Sequence, residues 1–160
     1  MAGPIKRIRN ELKELNNYIN KDCIDDHRII SIKNINDDLF NLEVCFLGPK
    51  ETPYEDGINI ISIEIPNEYP IRAPRLKFEN KIYHPNINSE GIICLDILKD
   101  NWRPIYTIRT LIISIISLLS DPNPESPLNI DAAKLYKDSL LSKENKRKYI
   151  KKILSYNDNH

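Results

Sequence analysis

The sequence predicts an α+β fold: an N-terminal helix, a four-stranded antiparallel meander sheet, an active-site loop, and central and C-terminal helices. Three observations predict it. Apolar residues near the start recur at helical spacing, four β-rich runs follow with short turn sequences between them, and apolar helical patterns return after a long irregular stretch.

From Pro4 to about Asn17, Ile5, Ile8, Leu12 and Leu15 are spaced three, four and three apart, which places them on one helix face. Lys6, Arg7, Arg9 and Lys13 take the other face. The strands are predicted at Ile29 to Lys33, Phe40 to Leu47, Ile58 to Ile65 and Arg75 to Glu79, punctuated by Asn36-Asp37, Gly48-Pro49 and Pro66-Asn67. Short connections imply antiparallel neighbours. In the second run Phe40, Leu42, Val44 and Phe46 alternate with Asn41, Glu43 and Cys45, giving one core face and one more exposed face. From Lys81 to Tyr106 no period persists, and loops of that length in a small domain tend to carry function. Thr107 then reads as the N-cap of a central helix with Ile108, Leu111, Ile112, Ile115, Ile116 and Leu119, ending before Asp121-Pro122-Asn123-Pro124. Two helices follow, Ile130 to Leu141 and Lys143 to Tyr156, the second capped by Ser142.

A chain of 160 residues with 41% hydrophobic and 29% charged side chains has the composition of one globular domain, read over residues 1–160. With 23 basic and 23 acidic side chains the formal charge is zero, so no global field favours nucleic acid or anionic membrane, and neither is an expected partner. The lysine-rich stretch from Lys143 to Lys152 reads as a solvated helix face. Met1 to Lys13 has charges where a signal peptide needs an apolar region, and the longest apolar run, Leu111 to Leu119, is broken by serines and too short to span a bilayer. Three cysteines, at 23, 45 and 94, match neither a disulfide framework nor a zinc site. The expectation is a cytoplasmic protein, also nuclear, with reduced thiols and neither metal nor cofactor.

Cys94 stands apart from the other two. Cys23 and Cys45 are read as small hydrophobes. Cys94 instead lies in the irregular stretch, ten residues after His84 and eight after Asn86. A hydrolase would need His84 as a general base, yet His84 precedes a proline that biases it toward extended backbone, and no basic residue lies within four positions of Cys94. A redox thiol would need a resolving partner, and there is no Cys-x-x-Cys. An acyl carrier that accepts a thioester by exchange benefits from lacking a strong base beside the sulfur, since a base would also activate water.

Tyr83-His84-Pro85-Asn86-Ile87, Gly91, Cys94-Leu95-Asp96-Ile97-Leu98, Trp102, Pro104 and Asp121-Pro122-Asn123-Pro124 with Pro127-Leu128 resemble the central signature of ubiquitin-conjugating enzymes. Gly48-Pro49, Thr52-Pro53-Tyr54, Gly57, Tyr69-Pro70 and Pro74 resemble the family's sheet and turns, so the similarity spans nearly the whole chain. The stretch from Ile93 to Leu111 is similar to the branch that builds lysine-63-linked chains, and Asp121-Pro122 to the broad-specificity branch.

The resemblance implies an acyl transferase that takes ubiquitin from the activating enzyme as a thioester on Cys94 and passes it to a lysine amine with a RING-type or other ubiquitin ligase. It implies that Asn86 steadies the oxyanion or braces the loop, that His84 and Pro85 are structural, and that Asp96 lies near the incoming lysine. Ser126 stands where the family often has a carboxylate that assists the acceptor lysine. Lys6 and Arg7 match residues that contact the activating enzyme, and Ile71, Trp102, Pro104 and Ile105 lie in the ligase-facing loops. Ile71 replaces a common Phe or Met, and Arg103-Pro104-Ile105 replaces a frequent Ser-Pro-Ala. Thr110, Ile113 and Ser117 match positions that hold the donor ubiquitin, with filling of the core the alternative for Ile113. Ser31 matches a serine that binds a second ubiquitin in some members. A catalytically inactive family variant is a further expected partner. The alternatives are an enzyme for another ubiquitin-like modifier and a non-catalytic ubiquitin-binding scaffold.

Overall fold

The computed structural model of the chain describes residues 3–20 and 28–157. Helix α1 (Gly3–Asn20) packs against a sheet of β1 (Ile29–Ile35), β2 (Asp38–Leu47), β3 (Ile58–Glu64) and β4 (Arg75–Phe78), whose order is β1-β2-β3-β4 with every pair antiparallel. Three helices follow: α2 (Ile108–Ser120), α3 (Ile130–Ser139) and α4 (Lys143–Asn157). This is the predicted α+β arrangement. Cys23 and most of the stretch from Asn17 to Arg28 lie outside the described residues.

The buried stripe of α1 differs in part from the expectation. Ile8, Leu12 and Leu15 are buried, but Ile5 is 43% exposed. The stripe is completed by Glu11, which the i, i+3, i+4, i+7 spacing from Ile8 to Leu15 places inward along with its apolar neighbours. Strands β1 and β2 run two residues closer to their turn than predicted, because Asn36 and Asp37 both adopt positive φ (54° and 59°) and close a two-residue hairpin. Such a turn matches the right-handed strand twist, and Asn and Asp tolerate it best after glycine. The register sets Leu42 against Ile63, Val44 against Ile61, Ile61 against Phe78 and Ile63 against Leu76, so one sheet face is a continuous apolar layer. Cys45 pairs with Ser31 and Ile60 on the opposite face.

Helix α2 has seven buried residues on most of its sides, which makes it the central core helix. Its start is a reciprocal cap: the Thr107 hydroxyl accepts the Thr110 N–H at 3.1 Å and the Thr110 hydroxyl accepts the Thr107 N–H at 3.3 Å. Each fully buried Ile or Leu side chain is worth about 1.5–3 kcal/mol relative to exposure. The helix is therefore the rigid base on which the loop before it rests. Ser142 caps α4 by accepting the Asn145 N–H at 3.1 Å.

Candidate active site

The loop that carries Cys94 is folded by short-range bonds rather than by a long strand pairing. Asn88 turns the chain, its side-chain oxygen accepting the Glu90 and Ile92 N–H groups at 2.9 Å each. Gly91 follows at φ +84°, and a Cβ there would meet the Phe78 carbonyl oxygen at 2.0 Å, so only glycine lets the turn lie against β4. The contact is used: the Phe78 N–H donates to the Gly91 carbonyl at 2.9 Å. Isolated bridges Lys77 to Ile92 and Ile87 to Ile93 then hold both flanks of the segment leading to Cys94.

Cys94 is tied to the His84-Pro85-Asn86 segment through its own backbone, its N–H donating to the Asn86 carbonyl at 2.8 Å. Its side chain is half-buried. Immediately after it, Asp96–Leu98 forms a single 3₁₀ turn in which Asp96 is exposed and its carbonyl accepts the Lys99 and Asn101 N–H groups.

His84 is fully buried and has both ring nitrogens engaged. The Asn86 N–H donates to Nδ1 at 2.9 Å, which leaves the proton on Nε2 to donate to the Leu118 carbonyl at 2.8 Å. Burial lowers its pKa to about 4, with the Leu118 bond opposing in part. A neutral ring with no free lone pair is a strut and not a base. Tyr54 supports the same segment, donating from its hydroxyl to the Tyr83 carbonyl at 2.5 Å.

Asn86 is equally saturated. Its Nδ2 donates to the Asn123 carbonyl at 2.6 Å and the Ser126 carbonyl at 2.9 Å, while its Oδ1 accepts the Asn123 N–H at 2.8 Å. Pro85 adds its carbonyl, which accepts the N–H groups of Leu128 and Asn129. The 84–86 segment thus clamps the 123–129 loop beside the cysteine. Of the two roles that the resemblance allows Asn86, this geometry performs the brace, because both amide hydrogens are already donated to carbonyls. Ser126 itself is exposed.

Lys6 is exposed and Arg7 half-buried on α1. Ile71 (75% exposed) and Ile105 (81% exposed) project from neighbouring loops, which Trp102 joins by donating its indole N–H to the Pro70 carbonyl at 2.8 Å; Pro104 is exposed beside them. Thr110 and Ile113 are half-buried and Ser117 exposed, an accessible stripe along α2 apart from the Thr110 hydroxyl, which serves the helix cap. Ile113 is therefore not sealed in the core. Ser31 is half-buried on the outer sheet face. The structure brings Cys94, Asn86, His84, Pro85, Asp96 and Ser126 into one loop cluster; Ile71 and Trp102 line a cavity shared with Ile92 and Ile93, just before Cys94, and the cluster meets α2 where His84 bonds the Leu118 carbonyl.

The match to a family model settles the class: residues 7–154 fit the model described as "Ubiquitin-conjugating enzyme". The chain belongs to the ubiquitin-conjugating enzyme family. Among solved structures, the H. polymorpha ubiquitin-conjugating enzyme Pex4p, crystallised in complex with the soluble domain of Pex22p, is similar over 94% of each chain with a TM-score of 0.87 and 30% sequence identity. A ubiquitin-conjugating enzyme is an acyl transferase, and it matches the sequence expectation in fold and in class.

Two structural features of this ubiquitin-conjugating enzyme escaped the sequence reading. Asn88 forms the turn before Cys94, and only its position between Ile87 and Gly91 hinted at it. Glu11 is a buried carboxylate, and the signal was available: it falls on the apolar face of α1 between Ile8 and Leu12. Among the described residues no group of His, Cys, Asp and Glu side chains is arranged to hold a metal ion. Cys45 has a thiol whose pKa is raised by burial and by Glu43, with Lys33 opposing.

Proposed function

We propose that this enzyme accepts ubiquitin on Cys94 and delivers it to lysine amines. The Cys94 thiolate attacks the thioester carbonyl on the activating enzyme, a new carbon–sulfur bond forms, and the activating enzyme's sulfur leaves as thiolate. A lysine amine then attacks the same carbonyl, the Cys94 sulfur departs, and the amine's proton passes to water or a neighbouring carboxylate. Asp96, exposed two residues beyond Cys94, is the side chain offered to that proton.

The observation that carries this reading is the pairing of a half-buried Cys94 with a histidine that cannot act as a base. A hydrolase needs the opposite, since an activated base beside the sulfur would also direct water at the cargo. Here the His84 ring points to Leu118 and the Asn86 backbone, and the thioester is left to aminolysis.

Ligases engage Ile71, Trp102, Pro104 and Ile105, and the activating enzyme engages Lys6 and Arg7. Pex4p was crystallised with the soluble domain of a partner protein, and a partner subunit is proposed for this chain as well. The test is charging with activating enzyme, ATP and a panel of ubiquitin-like modifiers, read on non-reducing gels. Wild type and Cys45→Ala form a thiol-sensitive adduct with ubiquitin, and Cys94→Ala forms none. An adduct on Cys94→Ala, or one with another modifier only, would sink the reading.

A further inference from the structure

Glu11 joins three segments that are far apart in the chain. Its Oε1 accepts the Ile108 N–H at 2.8 Å, at the start of α2. Its Oε2 accepts the Tyr69 hydroxyl at 2.5 Å and the Arg7 Nε–H at 3.1 Å. Arg7 in turn donates from Nη2 to the Tyr106 carbonyl at 2.6 Å and lies 5.2 Å from the centre of the Tyr69 ring. The Tyr69, Trp102 and Tyr106 rings complete the box, with centroids 6.1 and 6.0 Å apart, and Trp102 holds the Pro70 carbonyl.

Net stability is a poor explanation for this arrangement. Glu11 is only 7% exposed, and a buried ion pair contributes little beyond what a well-packed apolar side chain of similar volume would give. What the carboxylate adds is geometry. Its position at the N-terminus of α2 sets it at the positive end of the helix dipole, where it takes the Ile108 N–H. Burial and the Glu11 bond raise the Tyr69 hydroxyl well above its ordinary range, so it stays a donor to the carboxylate.

The box is attached to the two most exposed isoleucines of the neighbouring loops. Ile71 follows Pro70, whose carbonyl Trp102 holds, and Ile105 precedes Tyr106, whose carbonyl Arg7 holds. We propose that Glu11 is a positioning residue for ligase engagement, fixing the Ile71 loop, the Ile105 loop and the start of α2 as one rigid surface. The inference rests on the reading of the chain as a ubiquitin carrier whose exposed isoleucines face a ligase.

The test uses the full chain with Glu11→Gln, Tyr69→Phe and the double substitution. Each protein is charged with ubiquitin, and discharge to free lysine is followed alone and with a titrated RING domain, chosen from a panel because it stimulates wild type. Both single variants should raise the KM for the RING domain about tenfold, the ratio expected for one charge-assisted hydrogen bond. The maximal stimulated rate should return at saturating RING domain, ligase-free discharge should be unchanged, and the double variant should be no worse than the worse single one. Methyl NMR should show the Ile71 and Ile105 signals moving together in Tyr69→Phe, which retains the ring.

An unchanged KM overturns the inference, as does a parallel fall of ligase-free discharge and maximal rate, which would mark a merely structural role. Wild type that charges but is stimulated by no RING domain overturns it too, while leaving the carrier reading intact. Wild type that fails to charge removes both.

Discussion

The side chain of Asn86 grips the backbone of Asn123 at both ends, Nδ2 donating to its carbonyl at 2.6 Å and Oδ1 accepting its N–H at 2.8 Å. The relation makes Asn86 a clamp between the cysteine loop and the loop that bears Ser126. It also sets what a substitution there should do.

Asn86→Ser removes three hydrogen bonds and leaves the Asn123 and Ser126 carbonyls without their donor. A hydrogen bond contributes about 0.5–1.5 kcal/mol net, and water can reach the exposed Asn123 and Ser126, so denaturant unfolding should show a loss of about 1–3 kcal/mol for the three. Discharge to lysine should slow by roughly an order of magnitude, comparable to the low end of what one lost oxyanion donor does. Charging should be less affected, since that step needs the thiol more than the 123–126 loop. Slow discharge with unchanged stability would instead mean that the amide leaves Asn123 during transfer to face the oxyanion.

His84 gives the protein a defined acid sensitivity. Its pKa is about 4 when folded against 6.5 ordinarily, so the unfolded chain takes up the proton first as the pH falls. The stability it contributes is complete above pH 6.5 and is lost progressively toward pH 4, reaching roughly 3 kcal/mol over the full span. His84→Gln, whose amide does not titrate, isolates this from the carboxylates. Urea unfolding at pH 7 and pH 5 should show wild type losing about 2 kcal/mol more than the variant. Parallel losses in the two proteins would mean that the ring is protonated in the fold.

Gly91→Ala adds a Cβ 2.0 Å from the Phe78 carbonyl oxygen at a φ of +84°. Backbone must shift on one side or the other, and the Phe78 to Gly91 bond is the first to be lost. A strained positive φ costs about 1–3 kcal/mol before the clash is counted. Thioester formation on Cys94 should fall more than thermal stability would suggest, because the displaced turn carries Ile92 and Ile93 into the cysteine. Full charging activity by the variant would show that the loop position is not set at Gly91.

Ser126 is exposed, and its backbone is held in place by Asn86. A lysine amine has a pKa of about 10.4, so near neutral pH few amines are nucleophilic, and a carboxylate can accept or orient the proton. Ser126→Asp should therefore speed discharge to lysine near pH 7, with the advantage shrinking toward about pH 10 as the amine deprotonates unaided. Charging should barely change. Single-turnover discharge across that range checks it, and an advantage that persists at high pH would place Ser126 away from the acceptor.

Much of the fold was legible because periodicity reports burial directly. The alternation of Phe40, Leu42, Val44 and Phe46 and the spacing of Ile8, Leu12 and Leu15 each marked a core face, and all are buried except Phe40, which is partly buried against the same core. Thr107 and Ser142 were legible as caps because an N-cap is a local arrangement of a hydroxyl and an N–H three residues on. Ile5 was misplaced because a periodic stripe does not say where the packing partner ends. The proposal for Cys94 rests on the neighbouring residue types and on the resemblance of the surrounding motif, and the family itself was legible in that motif.

By itself, then, the sequence determined the order of helices and strands, the faces they bury and the family to which the chain belongs. Those are local properties of spacing and residue type. Only the tertiary structure decided that the Asn86 amide is saturated by residues 37 and 40 positions away, and that the Glu11 carboxylate meets Tyr69 and Ile108, 58 and 97 positions on. A hydrogen bond is a matter of angstroms between two atoms, and no pattern along the chain contains the distance between groups that folding alone brings together.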